Sequence, residues 1–362
     1  MHDDEFTQMP PAGGRKASLD RFQFCARRQL LQHAVPEAAG GLGDTFRDLV
    51  DAHQVLGRSS RDSGLVLSIN AHLWGAVFPL LNYGTEEQRQ TWLGDLLSGE
   101  LLGGHAITEP QAGSDLDALA VSARKTEDGF VLGGRKRYIT NTPIADLLVV
   151  YARLEDKLSA FIVCRDDEGV QFCAAPTVKG CRSATMGDVI LDNCRIPSSR
   201  QLGKTGSGKM MIQHALELER AFIFAGIAGI MDWQLQTVIR HSRERKVNGR
   251  HLGANQAISH RIADMQLRLE TLRLWVGHCA TLKDNRQRLT LASAQTKLYG
   301  GEAFLQSSLD AVHILGSSGI EEGSDLAVLV DDAIASRLFS GSSEMQKNII
   351  AALLGTGEGF KG

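Results

Sequence analysis

The chain has almost no net charge, no paired cysteines and no apolar run long enough to cross a bilayer, and each absence removes a class of function. Lys and Arg number 39 against 42 Asp and Glu, a formal net charge of −3. No basic field therefore points to nucleic acid. The six cysteines, Cys25, Cys164, Cys173, Cys181, Cys194 and Cys279, form no C-x-x-C pair. That argues against a zinc site or a disulfide framework, and reduced thiols in a cytoplasmic protein are the expectation. The opening residues, Met1-His2-Asp3-Asp4-Glu5, are acidic and carry no apolar core, unlike a signal peptide. The longest apolar run in a helical pattern, Ala221 to Met231, is shorter than a membrane span. Internal repeats and low-complexity tracts are missing too.

What is present is an ordinary globular composition, 43% hydrophobic and 22% charged over 362 residues, enough for two or three domains. Residues 1–17, with Pro10, Pro11, Gly13 and Gly14, read as a mobile tail. Residues 18–99 have a helical pattern, with Asp20, Glu86 and Glu87 near helix starts and a loop from Val35 to Gly43. Residues 100–200 are β-like: Leu147–Tyr151 and Ala160–Val163 are short apolar runs parted by Gly, Asp and Asn. Residues 201–362 return to long helical patterns over Met211–His241, Ala257–Leu282 and Leu289–Leu315. The order is helical, then β, then helical, an α+β chain.

The most informative stretch is residues 105–115, His-Ala-Ile-Thr-Glu-Pro-Gln-Ala-Gly-Ser-Asp. An apolar run from Leu101 to Ile107 predicts a strand. Pro110 fixes a bend after it, and Gly113 lets the backbone approach a ligand. Backbone N–H groups beside the Thr108 and Ser114 hydroxyls suit a flat, polar-edged ring. ITEPQAGSD closely resembles the first signature of the acyl-CoA dehydrogenase family, where it lines the isoalloxazine of FAD. Gly134 to Asn141, GRKRYITN, resembles the family's G-x-K-x-[WY]-I-T-N strand. The resemblance covers nearly the whole chain. It implies an N-terminal helical domain, a middle antiparallel β domain and a C-terminal four-helix bundle. One N-terminal helix is shortened against the family.

By that resemblance, His105, Ile107, Thr108, Gly113 and Ser114 surround the flavin. Tyr138, Ile139 and Thr140 join them, with Thr140 matching the residue that hydrogen-bonds flavin N5. Arg243–Gly249 resembles R-x-x-F-G, with Asn248 where the family has Phe. Its Arg245 matches an arginine reaching the FAD pyrophosphate of a neighbouring subunit, a task that suits the guanidinium fork. Gln256 matches the following H-Q pair. His313, Gly316 and Ser317 fall in an A-x-Q-x-x-G-G-like segment near the adenosine. Ser342 and Glu344 fall in an E-G-T-like loop. A shared phosphate site implies a homo-oligomer, a tetramer by resemblance.

The family's reaction removes an α-proton and a β-hydride from one thioester. The base is usually a glutamate before the Gly of the E-G-T loop, and here that position is Ser340. In isovaleryl-CoA dehydrogenase-like members it lies instead in an L-E-R context on a helix. Leu218-Glu219-Arg220 matches that, making Glu219 the catalytic base and Arg220 its neighbour at the substrate. Glu219 opens the apolar stretch Ala221–Met231, and desolvation strengthens a carboxylate as a base. Glu217 is the spare, about 200° around the helix. The Ser340 backbone N–H keeps its family task of donating to the thioester oxygen, and Ser114 also lies on the substrate side.

The stretches Ser59–Leu73 and Ala335–Ile350 resemble the aminoacyl carrier-protein dehydrogenases of natural-product pathways. That branch implies oxidation of a prolyl or related aminoacyl thioester on a carrier protein. A short or branched acyl-CoA remains the alternative, because both present the same pantetheine. A flavin oxidase, a monooxygenase or a non-catalytic flavin scaffold on the same fold also stays open, as does the electron acceptor. From another class, Gly203–Lys209 fits the GxxxxGK of a P-loop ATPase. Met210 stands where a Ser or Thr must bind Mg²⁺, and Pro197 precedes the motif.

Overall fold

Side-chain caps set where three of the N-terminal helices begin. In the computed structural model, which describes Phe6, residues 8–174 and residues 178–357, α1 runs Gly14–Ala26 and α2 Phe46–Ser60. Thr45 and Asp48 form a capping box at the start of α2. Asp62 caps α3, Ser63–His72, by accepting from the Gly64 and Leu65 N–H groups. A π-turn over Leu73–Val77 carries α3 into α4, Phe78–Tyr83. A second capping box, Thr85 with Gln88, starts α5, Glu86–Ser98, and Gly99 ends it at φ 77°.

The start of the chain differs from expectation. Helix α1 begins inside the stretch that reads as a mobile tail, and Asp20 lies within it rather than near its start. Two contacts hold the helix: Phe22 is fully buried, and Arg21 pairs with Asp62 at 2.8 Å. Phe6 is buried as well. The acidic opening, Met1–Glu5, lies outside the described residues.

The middle domain is one sheet. Its strands are β1 His105–Ala106, β2 Ser122–Lys125, β3 Gly129–Ile139, β4 Leu147–Leu154, β5 Lys157–Cys164, β6 Val170–Ala174, β7 Gly187–Pro197 and β8 Gln201–Leu202. They run in the order β6-β7-β3-β2-β4-β5-β8, with β1 beside β4. The sheet is mixed rather than wholly antiparallel, because β1 and β2 both lie parallel to β4. Nor does the predicted strand over Leu101–Ile107 form in full. The Leu102 and Gly103 N–H groups bond to Asp146 Oδ2 and His72 Nδ1 instead of to a strand, so only His105 and Ala106 pair.

The chain then enters α6, Gly208–Glu244, the longest helix. A short hairpin follows, β9 Lys246–Val247 and β10 Arg250–His251. After it come α7 Gln256–Asp284, α8 Thr290–Leu315, α9 Asp325–Ser336 and α10 Ser343–Leu353. Helices α6, α7 and α8 pack on one another, with α9 and α10 against α8. Helix α2 also crosses α6 closely. A Cβ on Gly57 would meet Gly226 O at 1.8 Å, so glycine is required there. Phe46, Trp74, Phe78 and Phe222 bridge the N-terminal domain to α6, with ring centroids 5.1 Å apart for Phe46–Phe222. Against the sequence expectation, two helical stretches, Ser63–Tyr83 and Gly208–Glu244, have the length and apolarity of a membrane span. Their apolar windows are 94% and 78% buried inside the protein, as core helices are.

Candidate active site

The turn after β1 is held by a buried ion pair that the sequence pattern did not disclose. Glu109 and Ala112 exchange backbone hydrogen bonds at 2.8 and 3.2 Å across Pro110. The Glu109 carboxylate turns inward and accepts from Lys136 Nζ at 2.7 Å, and from the Ala120 and Val121 N–H groups at 2.7 and 3.0 Å. Lys136 Nζ also donates to Ile107 O at 2.9 Å. Burial depresses the Lys136 ammonium to about 8, against the pull of Glu109. Burial alone would raise the Glu109 carboxyl, but Lys136 and the two N–H groups outweigh it and hold the carboxyl below its usual range. The pair thus stays charged and fixes Ile107 and Thr108 against β3. The Arg137 N–H donates to Thr108 O at 2.8 Å. Gly113 and Ser114 lie exposed beyond the turn.

Asp188 shapes the neighbouring strand. It pairs with Arg135 and accepts from the Tyr138 N–H at 3.3 Å. The β3–β7 register breaks between Lys136 and Ile139. Within that bulge Tyr138 takes φ 57°, a left-handed conformation uncommon for an aromatic residue. Its ring is 48% exposed, with the Arg137 guanidinium 4.9 Å above it. Ile139 is buried and Thr140 half-buried. Asn141 anchors the end of the strand by donating to Ser68 O and Gly103 O.

Helix α6 brings the carboxylate. Glu219 is buried, and its Oε2 lies 3.6 Å from His105 Nε2. Arg220 turns the other way and donates Nε–H to Ser340 O at 2.8 Å. Ser340 sits at φ 55° between α9 and α10. Gln346 Nε2 donates to Gly341 O at 2.9 Å and secures the same loop. His105 of β1 thus meets Glu219 of α6, and the next residue of α6, Arg220, meets Ser340 of the α9–α10 link. Glu219 Oε2, His105 Nδ1 and Ser340 Oγ are buried with no hydrogen-bond partner. Burial lowers the His105 pKa, partly offset by Glu219, so the imidazole is neutral.

The remaining predicted residues do not join this cluster within one chain. Ser342 caps α10 by accepting from the Met345 N–H at 3.4 Å, and Glu344 is exposed in the first turn. Arg245 ends α6, and Gln256 opens α7, both exposed. His313, Gly316 and Ser317 are exposed around the end of α8. The P-loop reading fails structurally as well. A two-residue strand precedes the motif, and Lys209 pairs with Asp117 at 2.8 Å instead of facing a phosphate cradle. A cavity of about 1220 Å³ lies under α1 and the α2–α3 link. Glu219, His105 and Ser340 are not among its lining residues, so that cavity does not hold the carboxylate site.

Residues 12–100 match the acyl-CoA dehydrogenase N-terminal domain, 104–194 the middle domain and 206–355 the C-terminal domain. The chain belongs to the acyl-CoA dehydrogenase family. It is similar to an L-prolyl-(peptidyl-carrier protein) dehydrogenase of Pseudomonas fluorescens, 38% identical over 338 residues, covering 91% of this chain and 89% of that one. The solved structure of the prolyl acyl carrier protein oxidase AnaB superposes with TM-score 0.94 at 34% identity, over 98% of this chain and 96% of that one. PigA with FAD and proline superposes with TM-score 0.90 at 29% identity, over 98% and 92%.

The family's flavin fits the residues present. Tyr138 is exposed and offers an aromatic face, with the Arg137 guanidinium over its ring, close in sequence to Thr140. A Cβ on Gly113 would meet nothing nearer than 3.8 Å, so the turn leaves room for a ring. Glu219 Oε2, His105 Nδ1 and Ser340 Oγ are polar atoms for which the folded chain supplies no hydrogen-bond partner.

Proposed function

We propose that this protein is an FAD-dependent dehydrogenase of an aminoacyl thioester carried on a carrier protein, a prolyl group being the first candidate. The observation that carries the reading is the pairing of a buried Glu219 with a serine at position 340. The acid stands on α6, and the loop that usually bears it offers only backbone and a hydroxyl. The names of the relatives in Pseudomonas fluorescens and of AnaB support the aminoacyl carrier substrate.

Thr108, Tyr138 and Thr140 would hold the flavin ring, which supplies a hydride acceptor for the substrate's β-hydrogen. The protein's own residues do the rest. Glu219 takes the α-proton, and its low exposure keeps water from competing for the carboxylate. Charge develops on the thioester oxygen as the proton leaves. The Ser340 N–H donates to that oxygen, a contribution of about 3 kcal/mol for such a donor. Arg220 positions Ser340 through its carbonyl. Arg245, Gln256 and His313 serve the phosphates and adenosine of a neighbouring subunit's FAD, which explains their exposure in a single chain. Leu267 and Leu274, 66% and 74% exposed one heptad apart on α7, support a homotetramer that covers them. Six free cysteines fit a cytoplasmic setting.

Anaerobic flavin bleaching tests the reading. Prolyl, other aminoacyl and branched acyl thioesters are each offered on carrier protein and on CoA. Fast bleaching by aminoacyl-carrier substrates is expected. A response confined to acyl-CoA would replace the proposal with short or branched acyl-CoA oxidation. The Glu219→Gln variant is expected to stay yellow and to bleach about 10²- to 10⁴-fold more slowly. A fully active variant would remove Glu219 from the reaction.

A further inference from the structure

Beside the proposed base stands a histidine for which a hydrocarbon substrate has no use. His105 Nε2 is 3.6 Å from Glu219 Oε2, and the two side chains are 11% and 6% exposed. The other ring nitrogen, Nδ1, is buried without a partner. The ring cannot easily swing away from the site. Gly75, in the π-turn after α3, packs so tightly that a Cβ there would lie 2.7 Å from His105 N and 2.9 Å from its Cγ. A neutral imidazole has one donor and one acceptor nitrogen. Leaving such a group unpaired in a buried site costs about 1–3 kcal/mol. An aliphatic acyl chain would leave that cost in place, and an apolar side chain at position 105 would avoid it.

An aminoacyl thioester changes the account. The carbon that Glu219 deprotonates is bonded directly to nitrogen, so that nitrogen must lie next to the carboxylate. The imidazole is the polar side chain already found there. We propose that His105 is the specificity-determining residue for the α-nitrogen of the substrate, hydrogen-bonding the amine and so separating aminoacyl from plain acyl thioesters. The inference rests on the aminoacyl reading and on Glu219 as base. Holding the amine on His105 also keeps its charge and its N–H off Glu219, which leaves the carboxylate for the C–H proton.

The test compares prolyl and cyclopentanecarbonyl thioesters, a pair differing at the ring nitrogen, on the same carrier protein. Anaerobic bleaching rates are taken per bound flavin for the wild type, His105→Leu and His105→Gln. The wild type is expected to prefer prolyl. In His105→Leu the prolyl-to-cyclopentanecarbonyl ratio of kcat/KM should fall about 10- to 100-fold, the loss of one buried hydrogen bond. His105→Gln, whose amide can still pair with the amine, should recover part of that ratio. An unchanged ratio in His105→Leu, or an equal loss on both substrates, overturns the assignment of His105 alone. A wild type that bleaches with cyclopentanecarbonyl and not with prolyl overturns the aminoacyl reading, and this inference with it.

Discussion

Arg220 would serve the proposed chemistry without touching the reacting atoms. Its Nε–H meets Ser340 O at 2.8 Å, and Ser340 keeps a left-handed backbone that a non-glycine residue adopts only when held. Burial lowers the guanidinium pKa, and Glu219 and Glu217 pull it back up. Replacing Arg220 with methionine keeps bulk but leaves a buried carbonyl unpaired, at a cost of about 1–3 kcal/mol. The expected outcome is a 10- to 100-fold fall in kcat/KM with flavin content near the wild-type level. Steady-state kinetics on flavin-normalised enzyme checks it, and undiminished kcat/KM would show that the loop holds itself. Much of this site was legible residue by residue. Leu218-Glu219-Arg220 marks the proposed base in the sequence, and Ser340 the loop position that lacks the usual glutamate. His105 against Glu219 and Glu109 against Lys136 were not legible as pairs. Each joins residues far apart in sequence, and side-chain periodicity carries no information about which distant residues meet.

Helix α3 and its π-turn continuation carry the same lesson at the next scale. His72, the last residue of α3, is fully buried. It accepts from the Gly103 N–H through Nδ1 at 3.0 Å, so Nε2 carries the proton and faces Leu96 O at 3.0 Å. These bonds stop the strand from starting before His105, which is why an apolar run from Leu101 produced only two paired residues. Burial presses the His72 pKa down to about 4, although its bonds to Leu96 and Gly103 oppose the shift. His53, buried on α2, falls to about 3. Both values lie below the ordinary 6.5 of the unfolded chain, so the unfolded state binds more protons as pH falls. Their contribution to stability is fully present above 6.5 and is lost progressively toward 4 and 3. The slope approaches about 1.4 kcal/mol per pH unit for each histidine. Denaturant midpoints measured at about pH 7 and about pH 5 should therefore differ, and His72→Gln should reduce the difference. A variant with the wild-type pH slope would show that His72 titrates normally.

At the scale of the whole molecule, the three-part order of helices, sheet and helices was readable from pattern alone. Helices α6, α7 and α8 begin and end within three residues of the predicted spans, because long apolar periodicity leaves little freedom. The sheet was less legible. Its parallel pairings with β4 depend on how strands cross over, which local alternation does not encode. Arg245 also belongs to this scale, since it is exposed in one chain and its proposed task needs an assembly. Arg245→Ala should lower the flavin content of the purified protein and raise the FAD concentration needed to restore it. Absorbance of bound flavin against protein measures both, and an unchanged content would separate Arg245 from the phosphates.

Helix α6 carries Glu219 about a third of the way along and stops at Glu244, just before Arg245. At about 1.5 Å per residue, those two points are about 37 Å apart on one uninterrupted rod. The proposed proton acceptor of one active centre and the proposed phosphate clamp of another would thus be ruled off along a single piece of secondary structure. Their spacing and angular phase are linked. One inserted residue between them would advance the far end by about 1.5 Å and turn it by about 100°. On that proposal the length of α6 is a gauge shared by neighbouring active centres, and the stretch between Glu219 and Arg245 is as constrained as the two residues themselves.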